Sequence, residues 1–182
     1  MLEIRYHGRG GQGAVTSAEL MAIAAINEGK YAQAFPSFGP ERRGAPVMAF
    51  TRIDTDTIRT REKVYYPNVV VVLDPTLLDI VDIGSGLKEG GTLIINSTDE
   101  ASVLREKYGL KGRLALVDAS RIAMEEMNVP ITNTTMLGAL VKATGAVDLT
   151  SLEGPIQNRF GGIAPKNIAS CKRAFEETIV EE

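Results

Sequence analysis

The residues best suited to chemistry fall in two short stretches. The first is His7-Gly8-Arg9-Gly10-Gly11-Gln12-Gly13, with four glycines in six residues. Glycine reaches positive φ without a steric penalty and lets another group approach the main chain closely. An alternating run at 2–6 leads into this stretch and an alanine-rich apolar segment at 14–26 leads out, so it reads as strand, glycine turn, helix. The N–H groups that open such a helix suit an anion. The spacing Gly8-x-Gly10-x-x-Gly13 also fits the dinucleotide fingerprint. The second stretch, residues 35–46, reads FPSFGPERRGAP. Its three prolines and two glycines forbid a long helix and favour a rigid, extended loop. Glu41, Arg42 and Arg43 lie in its middle. Two guanidinium groups on a pre-set backbone suit a carboxylate or a phosphate. The competing reading is a surface loop whose arginines are solvated or pair with local acids.

Other reactive groups are sparse. His7 borders the glycine turn, where it can touch a ligand or serve as a structural hydrogen-bonding group. Cys171 is the single cysteine and His7 the single histidine, which excludes an intrachain disulfide, a cysteine/histidine zinc site and a cluster ligated by this chain alone. Neither has an evident third group for a nucleophilic triad. Ile168, Cys171, Phe175 and Ile179 form one apolar helical stripe, so Cys171 reads as inert core. The pairs Glu125-Glu126 and Glu176-Glu177 are adjacent rather than one turn apart and read as solvated faces. There is no G-x-x-x-x-G-K-[ST] phosphate loop. Asp74 closes an apolar run, where it is either functional or the cap of a helix at 76–81. A dinucleotide fold would place an acid about 20 residues beyond the glycines to hold the ribose. Phe35-Pro36-Ser37-Phe38-Gly39-Pro40 stands there instead, so the nicotinamide reading loses its main support.

The positioning elements are those of an α/β fold. Strands are expected at 2–6, 31–34, 47–53, 69–73, 92–95 and 114–117. The continuous run at 69–73 is β-branched and marks a strand buried on both faces of a parallel sheet. Helices are expected at 14–26, 76–81, up to about 108, at 119–127, from 133–135 to Gly145, and at 165–179. Gly29 and Gly145 are placed as left-handed helix stops. Arg59, Arg61 and Lys63, at spacing two, share one face if 55–63 is extended, as a solvated edge strand or a basic partner face. The pattern predicts a three-layer, open, mostly parallel sheet with helices on both faces, formed as a single domain.

With 182 residues, 44% hydrophobic and 24% charged, the chain has the composition of a globular protein that needs no staple to fold. The net charge of −3 argues against general binding to nucleic acid or to a membrane surface. That charge is uneven: residues 1–63 hold nine Lys/Arg against seven Asp/Glu, the rest eleven against sixteen. No apolar run is long enough to span a bilayer and no leader pattern opens the sequence, which predicts a soluble, cytoplasmic protein.

HGRGGQG at 7–13 followed by FPSFGPERRGAPV at 35–47 closely resembles the gamma subunit of 2-oxoacid:ferredoxin oxidoreductases, above all the pyruvate and 2-ketoisovalerate types. Asn133-Thr134-Thr135-Met136-Leu137-Gly138, Arg159-Phe160 and Lys166-Asn167-Ile168 resemble later segments of that family, so the resemblance spans 1–182 as one gamma domain. It implies one subunit, inactive alone, of an enzyme that oxidatively decarboxylates a 2-oxoacid, passes electrons to ferredoxin and gives the acyl group to coenzyme A. It implies alpha, beta and delta (ferredoxin-like) partner subunits carrying thiamine diphosphate, Mg and [4Fe-4S] clusters, with no cofactor bound by this chain alone. The lone cysteine and the lack of a GDG…N thiamine motif agree. No catalytic or metal-binding residue is expected here. The expected binding residues are Gly8, Gly10, Gly11, Gln12, Gly13, Arg42 and Arg43. The arginines would hold coenzyme A phosphates or partner carboxylates, and the glycines would shape the neighbouring surface. The alternatives are a stand-alone dinucleotide-binding oxidoreductase domain and a purely structural subunit.

Overall fold

The computed structural model describes residues 1–37 and 42–182, so Phe38, Gly39, Pro40 and Glu41 of the second stretch lie outside the described residues. The chain runs β1 (Leu2–Arg9), α1 (Ala14–Asn27), β2 (Tyr31–Pro36), β3 (Pro46–Asp54), β4 (Val69–Val72), β5 (Thr92–Asn96), α2 (Ala101–Tyr108), β6 (Arg113–Val117), α3 (Ala119–Met127), α4 (Asn133–Thr144), α5 (Glu153–Phe160), α6 (Ala164–Glu177) and β7 (Ile179–Glu181). One sheet of seven strands has the order β2-β3-β1-β4-β5-β6-β7. Strands β1, β4, β5 and β6 are mutually parallel, while β3 and β7 run against their neighbours.

Burial follows from that layout. Every residue of β4 and of β5 is buried, as central parallel strands covered on both faces require. Alternate residues serve opposite layers. Val69, Val71, Ile94 and Ala115 face α1, α4 and α6, while Val70, Val72, Leu93, Ile95, Leu114 and Leu116 face α2 and the segment through Leu78 and Ile83. Small residues let α1 approach closely: Ala18, Ala24 and Ala25 are fully buried, and Thr51 Oγ1 donates to the Ala18 carbonyl at 2.9 Å.

The late motifs have packing roles. A Cβ on Gly138 would sit 1.9 Å from the Cys171 carbonyl oxygen, so α4 and α6 touch backbone to backbone. Beside that contact Thr134 Oγ1 donates to Asn167 Oδ1 at 2.8 Å, and Thr135 Oγ1 meets Ser170 Oγ at 2.6 Å, both buried.

Some expectations need correction. Residues 55–63 form bends and irregular chain, not a strand; the sheet edges are β2 and β7. Helix α6 ends at Glu177, and Ile179 belongs to β7, because the β-branched run Thr178-Ile179-Val180 pairs with Leu114–Leu116 instead of continuing the helix. Asn133 lies inside α4, behind an N-cap at Thr132. Glu125, Glu126 and Glu177 are not merely solvated. Arg173 bridges Glu125 at 2.5 Å and Glu126 at 3.1 Å, and Arg121 reaches Glu177 at 2.5 Å, tying α3 to α6. Gly29 and Gly145 take positive φ at the ends of α1 and α4, as the sequence indicates. Among the described residues no helix is long and apolar enough to cross a membrane.

Candidate functional site

The glycine turn and the arginine loop form one unit. Strand β1 extends further than its alternation suggests, because Gly8 pairs with Val47 and Arg9 with Pro46 on β3. The pairing then continues past both strands. Gly10 N–H donates to the Ala45 carbonyl at 2.9 Å, Gly44 N–H to the Gly10 carbonyl at 3.2 Å, and Arg9 Nη1 to the Gly44 carbonyl at 3.1 Å. A Cβ on Gly10 would lie 2.6 Å from the Arg42 carbonyl oxygen, so the loop rests directly on the glycine backbone.

Each expected site residue has its own place. Gly13 is the N-cap of α1 at φ 83°, and a Cβ there would lie 2.5 Å from Asn133 Nδ2. Gly11 takes φ 92° in open space. Gly8 sits on β1, where a Cβ would make ordinary contacts from 3.5 Å outward. Arg42 and Arg43 are exposed. No side chain caps α1 and its first turn holds no acid, so the positive end of its dipole faces the same surface. The structure therefore brings Gly10, Gly11, Gly13, Arg42 and Arg43 onto one contiguous rim.

Gln12 works inward. Its Oε1 accepts from Arg9 N–H at 2.7 Å, and its Nε2 donates to Asp74 Oδ2 at 2.8 Å. Asp74 also accepts from Thr76 N–H at 2.9 Å and pairs with Arg9 Nε at 3.3 Å. Partial burial pushes the Asp74 carboxyl up, but hydrogen bonds from Thr76 and Gln12 and the Arg9 charge outweigh it and hold it below the usual range. Asp74 thus caps the short 3-10 turn that follows β4 and also anchors the glycine turn. This network lies beyond the carboxyl ends of β1 and β4, the side of an open α/β sheet on which ligands gather. Arg9 and Asn133 stand in motifs legible in the sequence, but their contacts at the site, and Thr76, are not. The one signal available was the pair of glycines that must make room for something.

His7 is structural. It is buried, and its Nε2 accepts from Arg5 Nε at 3.0 Å. Burial, then the Arg5 charge, pushes its pKa down to about 3. Below its unfolded value near 6.5 the unfolded chain binds a proton that the folded chain refuses, so stability falls as pH drops from 6.5 towards 3. Urea titrations should show about 2 kcal/mol lost between pH 6.5 and 5 through this group. His7→Gln should remove that slope; an unchanged slope would exclude His7 as its source. Burial likewise pushes the Cys171 thiol up to about 12, which keeps it protonated and inert.

One cavity borders the site and a larger one lies apart from it. An apolar cleft of about 220 Å³, lined by Val129, Ile131, Phe160 and Ile163, opens beside Asn133. A cavity of about 490 Å³ between residues 82–90 and 108–112 lies at the amino ends of β5 and β6, away from both loops. Among the described residues no group of three His, Cys, Asp or Glu is placed to hold a metal ion.

A family model described as pyruvate ferredoxin/flavodoxin oxidoreductase matches residues 3–179. A common gamma subunit of pyruvate/ketoisovalerate oxidoreductases from Thermococcus litoralis is 56% identical over 184 aligned residues, covering 100% of both chains. The pyruvate synthase subunit PorC of Methanothermobacter thermautotrophicus is 51% identical, covering 97% of this chain and 96% of its own. The crystal structure of pyruvate oxidoreductase subunit PORC from Thermotoga maritima superposes with a TM-score of 0.89 at 43% identity, over 100% of this chain and 98% of that one.

Proposed function

The chain belongs to the pyruvate ferredoxin/flavodoxin oxidoreductase family as a gamma-type subunit, and on that premise we propose that it guides coenzyme A to the active site of a multisubunit 2-oxoacid oxidoreductase. Residues 1–182 act as one gamma unit in the cytoplasm, beside alpha, beta and delta subunits, with ferredoxin as electron acceptor. Pyruvate is the favoured substrate, in keeping with the names of the relatives. An iron–sulfur cluster needs several thiolates and this sequence has one cysteine, so the clusters belong on partner chains, together with thiamine diphosphate and Mg.

The observation that carries this reading is the backbone clasp between Gly10 and residues 42–45, which holds the main chain carrying two exposed arginines beside the uncapped start of α1. Coenzyme A brings a diphosphate and a 3′-phosphate. Bidentate guanidinium groups and helix N–H groups bind such oxygens well. The clasp also spares the loop much of the ordering cost of binding. The missing ribose acid at 35–40 weighs against the stand-alone dinucleotide domain.

Replacing Arg42 and Arg43 by alanine in the reconstituted complex should raise the KM for coenzyme A about tenfold, with kcat at saturating coenzyme A little changed. If assembly weakens while that KM stays fixed, the loop is an interface and the chain's role is structural.

A further inference from the structure

The two edges of the sheet are finished differently. Strand β2 is the outer strand on one side and pairs only with β3. Ser37 N–H donates to the Met48 carbonyl at 2.9 Å, which continues that register and fixes the alternation along β2. Tyr31, Gln33 and Phe35 therefore turn their backbone groups to β3, while Ala32 and Ala34 turn theirs outward. Among the described residues the N–H and carbonyl groups of Ala32 and Ala34 meet no partner.

Open edges are templates for another strand, and folded chains protect them with charge, proline or shortness. The far edge is protected: β7 has three residues, includes Glu181 and is followed by Glu182. Strand β2 has six residues and no charge, and only Pro36 at its end lacks an N–H. Its surroundings are apolar. Tyr31 is 50% exposed, and Ile26, near the end of the helix α1 that packs on β2, is 52% exposed. The turn between them is fixed, because Gly29 N–H donates to the Ile26 carbonyl and Lys30 N–H to the Ala25 carbonyl.

We propose that β2 is an interface between two copies of this chain, paired antiparallel about a two-fold axis at Gln33, so that their sheets become continuous. In that register Ala32 lies opposite the second copy's Ala34, and every outward N–H finds a carbonyl. Tyr31 lies opposite the second copy's Phe35, and Gln33 opposite its own counterpart, at the positions where side chains across a ladder come closest. Shifting by two residues one way opposes Ala32 to Pro36, which has no N–H. Shifting the other way opposes Ala34 to Lys30, whose N–H is already given to Ala25. Self-complementarity is what selects a second copy: five residues supply both halves of the ladder, and no charge meets its like across them. The contact is independent of coenzyme A.

Sedimentation velocity of the full chain at micromolar concentration should show a dimer. Ala34→Pro deletes an outward N–H and leaves the bonds to β3 in place, so the dissociation constant should rise at least about tenfold with circular dichroism unchanged. Gln33→Cys places one thiol from each copy across the axis, at a spacing that a disulfide bridges, so mild oxidation should yield a covalent dimer. Tyr31→Cys, whose two copies lie far apart on either side of the axis, should stay uncrosslinked. Cys171 is buried and contributes to neither result. A monomeric wild-type chain, or a dimer indifferent to Ala34→Pro, would overturn the interface. Cross-linking of Tyr31→Cys as fast as Gln33→Cys would overturn the register and the self-complementarity on which the second copy rests.

Discussion

Alanine at Gly138 should cost the chain more than 3 kcal/mol of stability, enough to prevent folding at modest temperature. The added methyl would lie 1.9 Å from the Cys171 carbonyl oxygen, 2.9 Å from its carbonyl carbon and 3.0 Å from the Phe175 nitrogen. All three are backbone atoms of α6, so no rotamer change relieves the clash and the helix itself must move. That movement separates Thr134 from Asn167 and Thr135 from Ser170, which are buried pairs at 2.8 and 2.6 Å. A buried polar group left without its partner costs about 1–3 kcal/mol. Helix α6 also carries the buried Cys171 and Ala174 of the main core. Gly154→Ala offers the contrast. Gly154 lies inside α5 with nothing within 4 Å of its missing Cβ, so the same change there should be neutral or stabilise by up to about 1 kcal/mol. Urea midpoints of the two variants would decide. A loss below 1 kcal/mol at Gly138 would mean that the helices have room to part.

Legibility in the sequence tracked how local each cause is. The buried strands at 69–72 and 92–96 announce themselves through β-branched and apolar runs, because a strand covered on both faces has no polar side to show. Left-handed stops at Gly29 and Gly145 follow from glycine's freedom alone. Causes spread over long separations were not readable. Thr178, Ile179 and Val180 continue the helical spacing of α6 well enough to look helical, and only the free edge of β6 draws them into β7. Residues 55–63 alternate like a strand but find no neighbour to pair with. In the candidate site both loops could be recognised, yet the reason for Gly10 is a carbonyl 32 positions away at Arg42. Gln12 stands in a loop that reads as a binding loop, but its partner Asp74 lies across a sheet crossover that spacing cannot show.

A methyl group on Gly10 should separate loop geometry from guanidinium chemistry. Its Cβ would meet the Arg42 carbonyl oxygen at 2.6 Å and the Arg43 Cα at 3.4 Å, while Gly10 itself has no positive φ that would strain alanine. Here, unlike at Gly138, the obstructed backbone is a surface loop. The least costly response is for residues 42–45 to lift away, breaking the Gly10–Ala45 and Gly44–Gly10 hydrogen bonds at 2.9 and 3.2 Å. Net loss of two such bonds amounts to about 1–3 kcal/mol locally, so the fold should survive with its urea midpoint only slightly lowered. Both guanidinium groups remain but are displaced together, and the reconstituted complex should show a KM for coenzyme A raised about tenfold, as when both arginines are removed. The triple variant Gly10→Ala, Arg42→Ala, Arg43→Ala should then be little worse than either, because each change removes the same interaction. Additive losses would mean that the glycine turn touches coenzyme A independently, through its own N–H groups at the start of α1. An unchanged KM in Gly10→Ala, with full loss in the arginine variant, would show that the clasp does not position the arginines for binding.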